Sequence, residues 1–286
     1  MIKIKEGKKY LVTGGSGFLG GKVIKRILDE GGQVVTLSRD EGKLIELKQK
    51  FPKIEFYTGD ICDPFDVHQA MKGVAGVFHL AAFKHVGMAE SLARECTRSN
   101  VLGSLNILEE GSILGVDFIV GISTDKAAQV AGVYGATKYV MEKLFEQFES
   151  NYPEIQFRVV RYGNILYSTG SVLCKWKELL LRGEPLIVTD PNATRYFWTV
   201  DQAVTLIWDC LDNATDSQPY VPEMKSMSIR DLLVAMSEKY LPEGKDLLIK
   251  EIGLQPGENL HEKILVDGTD SSVAEKYSIA EITEMI

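Results

Sequence analysis

Tyr134 and Lys138 stand four positions apart in the run Tyr134-Gly-Ala-Thr-Lys138. On a helix that spacing puts both side chains on one face. An ammonium beside a phenol favours the phenolate and lowers its pKa from an ordinary value of roughly 10, so the pair predicts a general acid or base working nearer neutrality. Just upstream, Ser123-Thr124-Asp125-Lys126 offers the hydroxyls of Ser123 and Thr124 to the same substrate oxygen. A Tyr-x-x-x-Lys pair alone is common by chance, and its weight comes from where it sits.

A second motif lies near the start of the chain. Thr13-Gly-Gly-Ser-Gly-Phe-Leu-Gly20 follows an apolar strand and opens a helix, and contains both GxGxxG and GxxGxxG spacings. Glycines permit the tight turn and let the backbone approach a pyrophosphate, while the helix start supplies free N–H groups to the anion. In this strand–turn–helix context the pattern predicts a dinucleotide site. The next strand ends at Ser38-Arg39-Asp40, where an NAD site usually has an acidic residue for the ribose hydroxyls. Ser38 and Arg39 suit a 2′-phosphate instead, so NADP is the expected cofactor, although Asp40 follows directly. Asp60, after the third strand, is placed to accept from the adenine amine or to form a plain turn.

The elements that must hold these residues alternate. Strands are predicted at 10–13, 33–37, 54–58, 74–80, 116–123 and 156–162. Helices are predicted at 18–30, 41–51, 65–72, 88–114 and 133–150. The strands are near-continuous apolar runs, Phe118-Ile-Val-Gly-Ile122 being the clearest, as buried parallel strands should be. This βαβ rhythm implies an α/β fold: a doubly wound parallel (Rossmann) sheet with helices on both faces. After about Asn164 the rhythm breaks. A helix at 200–211 is expected to return to the main domain, and 228–240 to be a helix of a smaller α/β substrate-binding domain. The expected division is 1–165 with 197–215 for NADP, and 166–286 mainly for substrate.

Composition bounds the function. The chain has 286 residues, 45% hydrophobic and 25% charged, ordinary for a globular protein. Its net charge of −8 disfavours nucleic acid as the main partner. Cys62, Cys96, Cys174 and Cys210 are widely spaced with no zinc-type cluster, so no metal is expected and reduced thiols are the simplest reading. The N-terminus lacks a signal-peptide core and no apolar run approaches the ~20 residues of a membrane span, so a cytoplasmic protein without a membrane partner is expected.

Taken together, these motifs resemble the extended short-chain dehydrogenase/reductases that modify nucleotide sugars, and within them the C5-inverting UDP-N-acetylglucosamine 4,6-dehydratases. The resemblance spans nearly the whole chain. It is carried by the glycine turn, Ser38-Arg39-Asp40, Ala81-Ala-Phe-Lys-His-Val86, Ser123-Thr-Asp-Lys126, Tyr134-Gly-Ala-Thr-Lys138, Arg161-Tyr-Gly-Asn164 and Pro256-Gly-Glu-Asn-Leu-His-Glu262. Asp125-Lys126 is the discriminating pair: hexose 4,6-dehydratases generally have Asp-Glu there, and epimerases do not need it.

The resemblance implies a redox-neutral cycle on a UDP-sugar, UDP-N-acetylglucosamine being expected. C4 is oxidised as Tyr134 takes the hydroxyl proton. Lys126 removes the C5 proton, provided burial or neighbours lower its pKa. Asp125 protonates the departing C6 hydroxyl, and hydride returns to C6. The Asp125 and Lys126 roles are interchangeable at this level. Thr124, Asp125, Lys126, Tyr134 and Lys138 are thus the catalytic candidates. The cofactor is expected against Gly14, Ser16, Gly17, Phe18, Leu19, Ser38, Arg39, Asp40, Lys43, Asp60, Ile61, Ala81, Lys84, Tyr134, Lys138 and Ile165. The substrate is expected against Lys84, His85, Asn164, Val172, Leu173 and Lys177, with Arg195 on phosphate and Glu258 on the uridine ribose. The family commonly forms homo-oligomers. Three positions depart from its pattern: Gln255 stands where Arg is common before Pro-Gly-Glu, Gly87 where Pro often follows His-Val, and Val130-Ala-Gly132 replaces the usual Asn-Pro. An epimerase or reductase on the same fold, and a non-catalytic NADP-binding scaffold, are the alternatives.

Overall fold

The structure, a computed structural model, describes residues 2–286. Its first part runs β1 (Lys9–Thr13), α1 (Phe18–Asp29), β2 (Gln33–Ser38), α2 (Glu41–Lys50), β3 (Glu55–Thr58), α3 (Pro64–Met71), β4 (Val74–His79), α4 (Val86–Ser91), α5 (Ala93–Thr97), α6 (Gly103–Leu114), β5 (Phe118–Thr124), α7 (Val133–Asn151) and β6 (Gln156–Tyr162). The remainder is β7 (Asn164–Ile165), α8 (Val172–Arg182), β8 (Leu186–Val188), β9 (Thr194–Trp198), α9 (Val200–Asn213), β10 (Pro219–Tyr220), β11 (Ser226–Ser228), α10 (Ile229–Tyr240), β12 (Ile249–Glu251) and α11 (Ile279–Met285).

Seven parallel strands form one sheet in the order β10-β6-β5-β4-β1-β2-β3. The doubly wound fold expected from the sequence is therefore present. The order in which successive strands are added reverses between β1 and β4, and such a switch point opens a crevice at the strand C-termini. Each face of the sheet is covered by its own core. One packs α1 and α9 through Val23, Ile24, Ile27, Ala203 and Ile207, and the other packs α3, α6 and α7 through Val67, Ile107, Met141 and Phe145. The α9 helix lies against β6 and α1. A third core gathers Leu173, Trp176, Leu180, Leu186, Met227, Leu233 and Met236, and binds α8 to α10.

The helix ends follow local chemistry. Asp40 caps α2 by accepting from Lys43 N–H, Asp63 with Pro64 starts α3, and Thr199 with Gln202 closes a capping box on α9. Gly115 at φ 66° ends α6, a backbone position that glycine takes without strain. The long helix expected at 88–114 does not exist as one piece. It breaks at Leu92 and contains a π-turn at Arg98–Leu102. The extra residue turns the buried Asn100 inward, where it accepts from Phe83 N at 2.7 Å and donates to Phe83 O and Thr137 Oγ1, each at 3.0 Å. Side-chain demand below the crevice thus overrides helical periodicity.

One buried ion pair ties β5, β6 and α7 together. Glu142 accepts from Arg161 Nη2 at 2.6 Å and Nε at 3.0 Å, and from the Ser123 hydroxyl. Arg161 Nη1 also donates to Ile264 O at 2.8 Å, reaching the C-terminal segment. Removing one partner strands a buried charge. Glu142→Ala is expected to lower unfolding free energy by about 3–5 kcal/mol, read by urea denaturation. A loss under ~1 kcal/mol would show that the pair does not bind these elements.

Candidate active site

The C-terminal ends of β1, β2, β4, β5 and β6 open into one cleft of about 860 Å³. Its floor is the glycine turn. Gly14 has φ +69°, and a Cβ there would stand 2.8 Å from Ala81 N at the end of β4. A Cβ on Gly20 would stand 2.3 Å from Gly14 O. Glycine is required at both, because the turn lies directly on neighbouring backbone. Gly17 caps α1 without any side-chain hydrogen bond, so no side chain covers the N–H groups of the first turn. These features fit a dinucleotide pyrophosphate: the approach is open, and the exposed donors sit at a positive helix end.

All sixteen residues expected around the cofactor line this cleft. At its β2 end Arg39 is 74% exposed and lies 3.7 Å from Asp60 Oδ2. Asp40 is occupied as the cap of α2, and the hydrogen bond from Lys43 N holds its carboxyl below the usual range. Ser16 and Ser38 hydroxyls approach to 3.5 Å across the rim.

Tyr134 and Thr124 line the cleft over the end of β5, with Lys138 behind on the first turns of α7. The expected lowering of the phenol by Lys138 is not found. Burial pushes Tyr134 up to about 12, opposed by the Lys126 ammonium and the Thr124 hydroxyl. Lys138 is itself pulled down to about 8 by burial, and its Nζ points to Met141 Sδ at 3.1 Å. Ser123 lines the cleft as well, but its hydroxyl is committed to Glu142. The hydroxyl beside Tyr134 is that of Thr124. Below them His79 is buried between Thr13 Oγ1 (2.8 Å) and Ser104 Oγ (2.9 Å), and burial drives it down to about 3, so it is a neutral structural link.

Asp125 is fully buried and Lys126 nearly so. Asp125 Oδ1 accepts from Thr124 Oγ1 at 2.9 Å and from Lys126 Nζ at 3.0 Å, while Oδ2 has no partner. Burial alone would lower the Lys126 ammonium, yet Asp125 and Glu262 together raise it above an ordinary lysine. That reverses the sequence expectation of a lowered Lys126. Glu262 lies outside the expected site residues, although it closes the Pro256–Glu262 motif. It lies 3.6 Å from Lys126 Nζ and 3.7 Å from Arg195 Nε. Arg195, expected on a phosphate, also donates from Nη1 to Thr194 O (2.9 Å) and Leu260 O (2.8 Å).

Of the other substrate candidates, Lys84, His85 and Asn164 line the cleft. Lys84 Nζ bonds Thr169 O at 2.8 Å, and burial lowers its ammonium. Val172, Leu173, Lys177, Arg195 and Glu258 lie outside the cleft wall. Leu173 is in the third core, Lys177 stacks over Tyr240 at 4.7 Å, and Glu258 accepts from Gln255 N at 3.1 Å. Tyr162, which lines the cleft with an unpartnered buried hydroxyl, was also missed because it reads as an ordinary strand residue.

Residues 10–284 match the family described as "Polysaccharide biosynthesis protein". The chain is 33% identical to an uncharacterized membrane protein of Methanocaldococcus jannaschii over 97% of its length and 84% of that protein's. It is 32% identical to UDP-N-acetylglucosamine 4,6-dehydratase (inverting) of Campylobacter jejuni and to UDP-glucose 4-epimerase of Rickettsia canadensis, in each case covering 94% of this chain and 80% of the relative. Among solved structures, Pen from Bacillus thuringiensis superposes with TM-score 0.92 at 27% identity, over 98% of this chain and 97% of that one. Among the described residues no helix is long and apolar enough to cross a membrane.

The buried Lys138 gives a pH signature. Between about 8 and the ordinary lysine value of 10.5 the folded chain has released a proton that the unfolded chain still holds. Stability must therefore rise with pH across that window. The stability of this chain minus that of Lys138→Met, from urea denaturation at about pH 7.5 and about pH 10, is expected to increase with pH. A flat or falling difference would show that the amine is not buried uncharged.

Proposed function

The chain belongs to the polysaccharide biosynthesis protein family and is an extended short-chain dehydrogenase/reductase, and from that premise we propose that it is a UDP-N-acetylglucosamine 4,6-dehydratase holding NADP. The observation that carries the reading is the buried Asp125-Lys126 pair beside Tyr134, with Asp125 Oδ2 unpartnered. Oxidation at C4 needs one acid–base group. Elimination across C5 and C6 needs two more, and this pair supplies them. In the proposed division, 1–165 with 197–215 hold the dinucleotide and 166–286 mainly hold the UDP-sugar.

When bound, the nicotinamide supplies a reversible two-electron acceptor. The glycine turn and the start of α1 hold the pyrophosphate. Arg39 and Lys43 favour a 2′-phosphate, and Asp40 is engaged as a helix cap rather than free for ribose hydroxyls. Tyr134 acts from its phenolate, which the Lys126 ammonium and the Thr124 hydroxyl favour against burial; it takes the C4 hydroxyl proton as the ketone forms, and the ketone acidifies C5–H.

Lys126 begins as an ammonium. Transfer of its proton along the 3.0 Å hydrogen bond to Asp125 makes a free amine and a carboxylic acid without changing the charge of the pair. The amine then takes the C5 proton and the acid protonates the C6 hydroxyl. Water leaves, and the pair returns to the ion pair that its surroundings favour. After reduction at C6, Lys126 returns a proton to C5. The proton held by Tyr134 passes through the Thr124 hydroxyl to Asp125 and resets the site. Inversion at C5 requires delivery from the opposite face.

Identical similarity to a UDP-glucose 4-epimerase keeps epimerisation as the second reading. Incubation with UDP-N-acetylglucosamine, without added reductant, should yield a product lighter by one water with a C6 methyl in proton NMR. A product of unchanged mass supports the epimerase, and no turnover refutes both for this substrate. Deuterated water reports C5 inversion. Lys126→Met should lose elimination by about 10²–10⁴-fold while binding NADP normally, and dehydration at the original rate would remove Lys126 from the mechanism. NADP should bind more tightly than NAD in fluorescence titration, and Arg39→Ser should erase the difference. Equal affinities in the unaltered chain would refute the NADP assignment.

A further inference from the structure

Glu262 is an anomaly that the reaction above does not use. It is 1% exposed, and its Oε1 has no hydrogen-bond partner. A buried carboxylate oxygen left without a donor is costly unless charge compensates it. Two cations do so, Lys126 and Arg195, both just beyond hydrogen-bond distance at 3.6 and 3.7 Å. The partner carboxylate on the other side of Lys126, Asp125, also has one bare oxygen. The Lys126 ammonium therefore sits between two carboxylates, each with an unoccupied lone-pair face.

Glu262 is held firmly where it is. Its N–H donates to Ser271 Oγ at 2.9 Å, and its carbonyl accepts from Ser271 N at 2.8 Å. Ser271 Oγ also donates to Thr194 O at 3.0 Å, and Thr194 N donates to Leu260 O at 3.2 Å. Asn259 Nδ2 lies 3.3 Å from both Glu262 Oε2 and Gln129 O. The carboxylate is thus fixed by β9 and its own segment, independently of Lys126. The charged or titratable groups facing Lys126 are Asp125 on its own turn, Glu262 from this segment, Arg195 from β9 and Tyr134 from α7.

We propose that Glu262 is a positioning residue: its carboxylate, held between Lys126 and Arg195, fixes the aim of the Lys126 amine and stabilises the ammonium that forms as the C5 proton is taken. The proposal rests on the dehydratase reading for its catalytic consequence, but the effect on Lys126 does not need a substrate. Arg195 moderates it, because its guanidinium draws on the same oxygen. Glu262 touches no reacting atom, since it lies behind the cleft wall formed by Lys126.

The direct test is competitive acetylation of Lys126, followed by peptide mass spectrometry across pH, on the whole chain. Glu262→Gln should shift the Lys126 titration to lower pH by one unit or more, and Arg195→Gln should shift it upward. Glu262→Asp should fall between the original chain and Glu262→Gln. Far-UV circular dichroism and NADP binding should be retained, which separates the effect from misfolding. If Glu262→Gln does not fold, the opposite shift in Arg195→Gln alone decides: no upward shift overturns the proposal. In single turnovers with UDP-N-acetylglucosamine, Glu262→Gln should keep the rise at 340 nm that accompanies C4 oxidation and slow water loss at least tenfold. Unchanged Lys126 titration in Glu262→Gln overturns this inference whatever the activity. Shifted titrations in a chain that never dehydrates the sugar would refute the function proposed and leave the charge arrangement standing.

Discussion

The Glu142–Arg161 pair is the joint on which the site is built. Glu142 belongs to α7, one turn beyond Lys138. It receives Arg161 from β6 and Ser123 from the end of β5. Arg161 passes the restraint on to the carbonyl of Ile264. A helix, two strands and a distant segment are thereby held to one carboxylate in a region with little water to replace it. Tyr134 and Lys138 ride on that helix, Thr124-Asp125-Lys126 follows that strand, and Glu262 belongs to that segment. The spacing of these side chains is therefore a property of packing beneath the cleft, as the proposed proton transfers would require.

Much of the scaffold was legible in the sequence because buried parallel strands and phosphate-binding turns have strong local signals. Phe118-Ile-Val-Gly-Ile122 could only be a covered strand, and the Gly14–Gly20 spacing has few other uses in its context. The residues lining the cleft follow from that topology, since strand C-termini define one edge. The break in the helix at 88–114 is not legible because Asn100 is polar and locally unremarkable, and only its inward hydrogen bonds reveal why the helix rewinds.

Charge states were the least legible part. A tyrosine four residues before a lysine suggested mutual tuning, but burial acts on each separately and in the direction that neutralises both. Lys126 goes the other way because of Asp125 beside it and Glu262, and the second is remote in sequence and invisible to any local pattern. The same holds for Ser123, whose hydroxyl is claimed by Glu142. Motifs state which groups are present. Their proton affinities depend on neighbours supplied by the whole fold.

That dependence has a temporal side. Asp125 and Lys126 lie mid-chain, whereas Glu262 and the Asn259 that reaches back to Gln129, 130 positions away, leave the ribosome much later. The sheet, the glycine turn and the tyrosine–lysine helix are all synthesised before the segment that loads Lys126. A nascent chain can thus complete the sheet and the glycine turn before the second carboxylate that charges Lys126 has been made.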